Sequence, residues 1–307
     1  MLSSSVDWRA RSALLLAMAI WGSSFIALKA AVDVMHPMQV IFLRMFIGSI
    51  VFLLILPWWK RGFNYQAGDW KWLAAMVLFE PCLYFIFESL ALKYTSAGQA
   101  GMITSILPLL VAIGAWLLLK ERIAKNQWLG FVIALIGVIW MSWGSDVSSH
   151  APNPLLGNSL ELMAMLCAVG YTLVVKKLTT RYSPLFLTAI QTLLGTVFFL
   201  PLALMMPMPA SISVDTFAYI AYLGVFSTLG AYGLYNYALS RTHASKVGAY
   251  TNLIPVFTLF FAYIFLNEVL NFQQWLAVTL VFTGVAISQH SRRGRKVLNQ
   301  IPPGTVQ

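Results

Sequence analysis

GMITSILPLLVAIGAWLLLKERIAKNQWLGFVIALIGV, residues 101–138, and GAYTNLIPVFTLFFAYIFLNEVLNFQQWLAVTLVFTGV, residues 248–285, are one segment written twice. Laid together without gaps, residue 101 on residue 248, they share Gly101 and Gly248, Thr104 and Thr251, Pro108 and Pro255, and Glu121 and Glu268. Gln127-Trp128-Leu129 likewise falls on Gln274-Trp275-Leu276, and Gly137-Val138 on Gly284-Val285. Chance likeness between apolar stretches gives scattered Leu and Ala matches. It does not align Pro, Glu, Trp and Gly at one offset. The same shift of 147 positions, extended outward, pairs Lys29 with Lys176, Gly48 with Gly195, and Ala91-Leu92 with Ala238-Leu239.

The copies lie in a chain of 307 residues that is 59% hydrophobic and only 10% charged. A water-soluble domain carries about 25% charged residues. The apolar residues run in long blocks, each long enough to cross a hydrocarbon layer of about 30 Å as a helix of about 20 residues. Ten such helices are expected, at about 12–32, 38–59, 70–92, 95–119, 126–143, 155–175, 184–206, 215–239, 243–266 and 271–289. The fold class is therefore all-α integral membrane, with residues 1–147 as a first five-helix repeat, 148–294 as a second, and 295–307 as a tail. A repeat of five helices, an odd number, makes the second copy enter the membrane from the opposite side. That is the inverted-topology repeat of secondary transporters, whose halves exchange conformations around a site near the midplane.

Basic residues set the orientation. With the N-terminus inside, all of the 20 Lys and Arg except Lys29, Arg44 and Lys93 fall on the cytoplasmic side, while Asp33, Asp146, Asp215 and Glu268 mark the outer loops. Both termini are then cytoplasmic and the protein is multi-pass in the plasma (inner) membrane. The net charge of +10 is spread singly and in short clusters between apolar blocks, which is the pattern of topology determinants and not of a nucleic-acid-binding face. Cys82 and Cys167 stand inside apolar segments with no partner at metal-ligand spacing, and they read as inert thiols.

Along its whole length the chain resembles the EamA-type branch of the drug/metabolite transporter superfamily. The likeness rests on Trp21-Gly22-Ser23-Ser24-Phe25, on Arg44, and on the stretch from Lys93-Tyr94-Thr95-Ser96-Ala97 to Pro108, with Lys120-Glu121-Arg122 and Asn267-Glu268 completing it. The resemblance implies a ten-helix carrier that exports small metabolites, amino acids or toxic organics on an ion gradient, and it leaves the substrate open. It also implies basic residues at positions like Lys29 and Arg44. Two carboxylates in helix 3 depart from the usual pattern.

Those carboxylates are Glu80, immediately before Pro81, and Glu88, eight residues on. A charge at the bilayer centre costs about 2.5–3.5 kcal/mol on insertion scales. Counted on a regular helix the two lie about 80° apart, with Tyr84 and Phe87 on or beside the same face. Either they exchange protons or bind a cationic group, since desolvation disfavours an ionised carboxylate, or they pair permanently with Arg44 or Lys29. Glu161 is read as close enough to the interface for hydration to account for it. Glu121 and Glu268 are read as caps or ion-pair partners at helix ends.

Pro108 and Pro255, inside helices 4 and 9, are candidate hinges, since a mid-helix proline removes a hydrogen bond and bends the helix. Thr104, Ser105, Thr251 and Asn252, one turn earlier, either satisfy the freed carbonyls or reach a substrate. Tyr232 and Tyr235 are expected to line the cavity, for an amphipathic organic or amino-acid substrate. Several Trp, among them Trp58, Trp59, Trp70, Trp72, Trp140 and Trp143, fit interface belts.

An enzyme is not expected: His36, His150, His243 and His290 are outside the spans or at their ends, and no nucleophile–base set is present. No phosphate-cradling loop points to ATP, and neither a cofactor nor a metal is expected. The expected partners are a small-molecule substrate, the lipid bilayer and protons, with the oligomeric state left open. The reading is a secondary transporter of small organic metabolites, exporting against proton entry. An uptake carrier and a lipid-linked sugar flippase are the alternatives, the latter calling for a lateral opening lined by basic residues.

Overall fold

The computed structural model describes residues 8–55, 65–119, 125–143, 147–148, 151–207, 211–241, 247 and 250–294. Glu121, Asp146, Gly248, His150, His243, Trp58, Trp59 and the tail 295–307 lie outside the described residues, as do Lys60, Arg61, Lys120, Arg122 and Lys246.

The described chain is a helical bundle. Seven helical runs are long and apolar enough to cross a membrane: Trp8–Val32, Pro37–Leu54, Asp69–Tyr94, Ala97–Gly114, Pro154–Leu178, Pro184–Leu204 and Val214–Arg241. Shorter apolar helices at Trp128–Met141, Leu253–Leu266 and Phe272–Ile287 fall on the other three expected spans. The protein is thus a multi-pass membrane protein. Its outward surface is apolar, as lipid requires, with Leu54, Val197 and Phe265 among many exposed hydrophobics. Trp70, Trp72 and Trp140 are also exposed, which suits a belt.

The first half runs through α1 (Trp8–Val32), α2 (Pro37–Leu54), α3 (Asp69–Val77), a π-helical turn (Leu78–Leu83) and α4 (Tyr84–Tyr94). It continues through α5 (Ala97–Ile103), a 3₁₀ turn (Thr104–Ile106), α6 (Leu107–Leu119) and α7 (Lys125–Trp143). The second half comprises α8 (Pro154–Leu178), α9 (Pro184–Leu204), α10 (Val214–Tyr222), a π-helical segment (Leu223–Ala231), α11 (Tyr232–Arg241), α12 (Leu253–Leu266) and α13 (Phe272–Gly294).

Local chemistry repeats at the 147-residue shift. Pro37 and Pro184 both open their helices from the first turn, where a missing N–H is harmless, behind the N-caps His36 and Ser183. Lys29 Nζ donates to Leu92 O and Lys176 Nζ to Leu239 O, each at 2.9 Å, so each half ties down the end of its interrupted helix with an ammonium, buried for Lys29 and half-buried for Lys176. Ser49 Oγ and Thr196 Oγ1, each other's counterparts, meet at 2.7 Å. The two π-helical segments also overlap under the shift.

Glu268 serves a different helix from the one that follows it. Asn267 ends α12 in the left-handed region (φ 52), a conformation asparagine tolerates, and turns the chain back. The Glu268 carboxylate then accepts from Ala97 N (3.1 Å) and Gly98 N (2.8 Å), capping α5 of the other half. Its expected structural role holds, with the partner corrected. Glu268→Ala is expected to lose about 1–2 kcal/mol of stability, read as a lower thermal unfolding midpoint in detergent.

Candidate functional site

The π-helical turn at Leu78–Leu83 breaks the third span, and Glu80 within it has extended backbone (φ −152, ψ 118). This undoes the regular count of 100° per residue that placed Glu80 and Glu88 about 80° apart. Both carboxylates nevertheless reach one cavity. The Glu80 carboxylate accepts a hydrogen bond from the Tyr232 hydroxyl of the second half. One turn of α4 sets Tyr84 against Glu88, and the Tyr84 hydroxyl donates to Glu88 Oε1 at 2.7 Å.

Arg44, on α2, is anchored across the halves. Its Nε donates to Thr228 Oγ1 (2.8 Å) and its Nη2 to Ser227 Oγ (3.0 Å), both on the second π-helical segment. The guanidinium lies over the Phe85 ring, 4.2 Å from its centroid. Glu88 Oε2 stands 3.9 Å from Arg44 Nη1, at the outer limit of an ion pair, and accepts no hydrogen bond. Ser227 is the counterpart of Glu80 under the shift. The first half carries an acid there, and the second carries the hydroxyl that holds Arg44.

These groups surround a cavity holding about 570 Å³ of space not filled by protein atoms, a figure that includes open solvent at its mouth. Trp21, from α1, forms a wall with Tyr232 (centroids 5.0 Å apart, nearly edge-on) and Tyr235 (5.1 Å). A satisfied polar layer adjoins this wall: Tyr171 donates to Gln191 Oε1 (2.8 Å), and Asn236 Nδ2 donates to Thr188 Oγ1 (3.0 Å). Among the described residues, Arg44 is the one basic side chain lining the cavity.

The structure brings six of the expected site residues together here: Glu80, Glu88, Arg44, Tyr84, Tyr232 and Tyr235. Lys29 is not among them. Its long stem carries the ammonium to Leu92 O and to Asp33 (2.9 Å), so the cavity does not share it. Asn252 also stays out of the lining, although its neighbours Thr251 and Ile254 enter it, and its buried Oδ1 accepts no hydrogen bond.

Pro108 and Pro255 sit in the first turns of α6 and α12, not in mid-helix. At Pro108 a 3₁₀ turn already interrupts the span, and Thr104 and Ser105 return their hydroxyls to Gly101 O and Met102 O (2.7 Å each). Thr104 also lines the cavity.

Glu161 corrects the expectation of a hydrated interface residue. It is fully buried, and neither carboxylate oxygen has a hydrogen-bond partner. It lies within electrostatic reach of Glu88 and Tyr84. Gly157 explains how α8 brings it there: any Cβ at 157 would sit 2.6–2.9 Å from Thr95 and Ala91 O, so only glycine lets α8 press this closely on the end of α4. Trp21 lines the cavity although the residue-by-residue reading did not single it out for the site. Its mid-span place beside Gly22 and two serines was the available signal.

The sequence profile of the EamA-like transporter family matches residues 9–143 and again residues 155–288. An uncharacterized transporter of Archaeoglobus fulgidus is 29% identical over 280 residues, covering 90% of this chain and 95% of its own. The uncharacterized transporter YetK of Bacillus subtilis is 28% identical over 282 residues, covering 89% of this chain and 84% of its own. A solved crystal structure superposes over 93% of this chain and 98% of its own with a TM-score of 0.67 at 17% identity, a likeness of fold.

Proposed function

The chain belongs to the EamA-like transporter family, and we propose that it moves small organic metabolites by alternating access between two inverted five-helix halves, residues 1–147 and 148–294. The carrying observation is the buried, acid-rich cavity that both halves build, with Glu80 held by Tyr232 and Arg44 held by Ser227 and Thr228. The contact between the counterparts Ser49 and Thr196 supports the exchange of conformations, because a residue that meets its own counterpart lies near an axis relating the halves. Both termini are cytoplasmic in this reading and the membrane is the plasma membrane, from the distribution of Lys and Arg.

Protons are the coupling ion, and export is the direction. Ionised carboxylates removed from water need compensating positive charge. Glu80 and Glu88 line the cavity with a single guanidinium, and Glu161 lies within electrostatic reach of Glu88, so protons entering from outside supply the balance whenever substrate has left. A lipid-linked sugar flippase is disfavoured, because the cavity's excess charge is acidic.

Transport in reconstituted vesicles tests this reading, with a metabolite panel and an imposed pH gradient. The wild type is expected to accumulate at least one compound faster with the gradient than without it. Glu80→Gln is expected to transport at the gradient-free rate under both conditions. Flux that ignores the gradient in wild type and variant alike would remove proton coupling. Flux no faster than in protein-free vesicles would remove transport of the panel compounds.

A further inference from the structure

We infer that the cavity selects an organic cation, a protonated or quaternary amine on an apolar body, over a zwitterion or an anion. The inference rests on the cavity being the transport site, and it narrows what the site accepts.

Charge balance comes first. Two carboxylates line the cavity, on Glu80 and Glu88, and a third, on Glu161, lies within electrostatic reach of Glu88; each is at least nine-tenths buried. In the lining, Glu88 Oε2 accepts no hydrogen bond. An unpartnered buried acceptor calls for a donor that carries charge. The positive side of the balance is already committed. Arg44 spends Nε and Nη2 on Thr228 and Ser227 and rests on Phe85. Lys29 and Lys176 are tied to main-chain carbonyls at helix ends. A substrate carboxylate would add negative charge to this site and would have to compete with Glu88 for Arg44 Nη1, the one guanidinium nitrogen not already hydrogen-bonded. An amine supplies what is missing.

The aromatic wall is the second, independent observation. Trp21, Tyr232 and Tyr235 pack edge-on or tilted to one another, and all three line the cavity. Aromatic faces attract a cation through the ring quadrupole, most strongly where water is excluded. Arg44 over Phe85 is held this way within the same cavity. An ammonium between Glu88 Oε2 and the aromatic wall would gain both interactions, while its apolar body packs on Trp21, Met165 and Ile254.

Four indoles of matched shape separate charge from body: tryptamine (cation), tryptophol (neutral), tryptophan (zwitterion) and indole-3-propionate (anion). Binding to the purified full-length protein in nanodiscs is measured by calorimetry. Tryptamine is expected to bind at least roughly tenfold tighter than tryptophan, and propionate weakest of all. In Glu88→Gln the preference for tryptamine over tryptophol shrinks by about tenfold, with tryptophol binding as the control for an intact cavity. If that variant does not fold, the wild-type order decides alone. Tryptophan or propionate binding as tightly as tryptamine overturns the inference, and so does no binding by any of the four. No flux enters this readout. A protein that binds tryptamine yet moves nothing sinks the transport reading alone, and one that carries and prefers tryptophan sinks this inference alone.

Discussion

Arg44→Met is expected to cost the folded protein about 3–5 kcal/mol, the penalty of stranding one member of a buried charge pair. The native guanidinium satisfies Ser227 and Thr228, stacks on Phe85 and stands near Glu88, so one substitution removes four contacts made to both halves. Methionine keeps much of the stem's volume. The loss therefore reports charge and hydrogen bonding rather than a void. Adding Glu88→Gln to the same chain should return part of it, because the stranded acid is then gone, and a double-mutant cycle measures that coupling. The measurement is the thermal or denaturant midpoint in a fixed detergent. A loss under about 1 kcal/mol, the range of exposed pairs, would mean that Glu88 does not need the guanidinium, and the charge balance drawn above would have to be redone.

Gly284 is the second position of large effect. It lies on α13 where that helix meets α7, and a Cβ there would stand 2.5 Å from Gly130 O, 2.6 Å from Ala134 N and 3.0 Å from Ala134 Cβ. Two of those neighbours are backbone, which cannot rotate away, so even alanine forces the helices apart. Gly284→Ala is expected to cost about 1–3 kcal/mol, and valine more. Between transmembrane helices close backbone approach is itself a source of association, so the lost packing has no replacement in lipid. Gly233 is the control. A Cβ there meets nothing within 4 Å, and Gly233→Ala should be neutral or stabilise by up to about 1 kcal/mol through helix propensity. Equal destabilisation by the two alanines would refute the contact argument.

Much of this architecture was legible because lipid imposes a coarse rule. Every backbone group must be paired inside its own segment, so apolar blocks of sufficient length become helices, and the 147-residue register then places their caps. The site was legible where the residue type is expensive in hydrocarbon: Glu80, Glu88 and Arg44 stand out by cost alone. What escaped was set by packing between distant segments. Glu161 belongs to the same class of costly residue, but its depth depends on Gly157 pressing against Thr95, a contact across 62 positions of chain. Lys29 pairs with Asp33 and Leu92 O rather than with either cavity carboxylate, because a four-carbon stem lets the ammonium reach a carbonyl well away from its own Cα. Pro108 and Pro255 looked like mid-helix kinks because the breaks before them, at Thr104–Ile106 and Thr251–Asn252, fall inside apolar blocks long enough to read as single spans.

The paired interruptions at Leu78–Leu83 and Leu223–Ala231 also bear on how the two halves share their work. A wide turn at overlapping registers, one in each segment that the family profile matches, is a frame used twice in this chain. Glu80 and its counterpart Ser227 differ within that shared frame. Had both halves carried an acid, the bundle would hold a second buried carboxylate where Arg44 now finds a hydroxyl. The first half thus carries both the cation and the acid while the second supplies the hydroxyls that bond them, a division of labour closed to a dimer of identical chains.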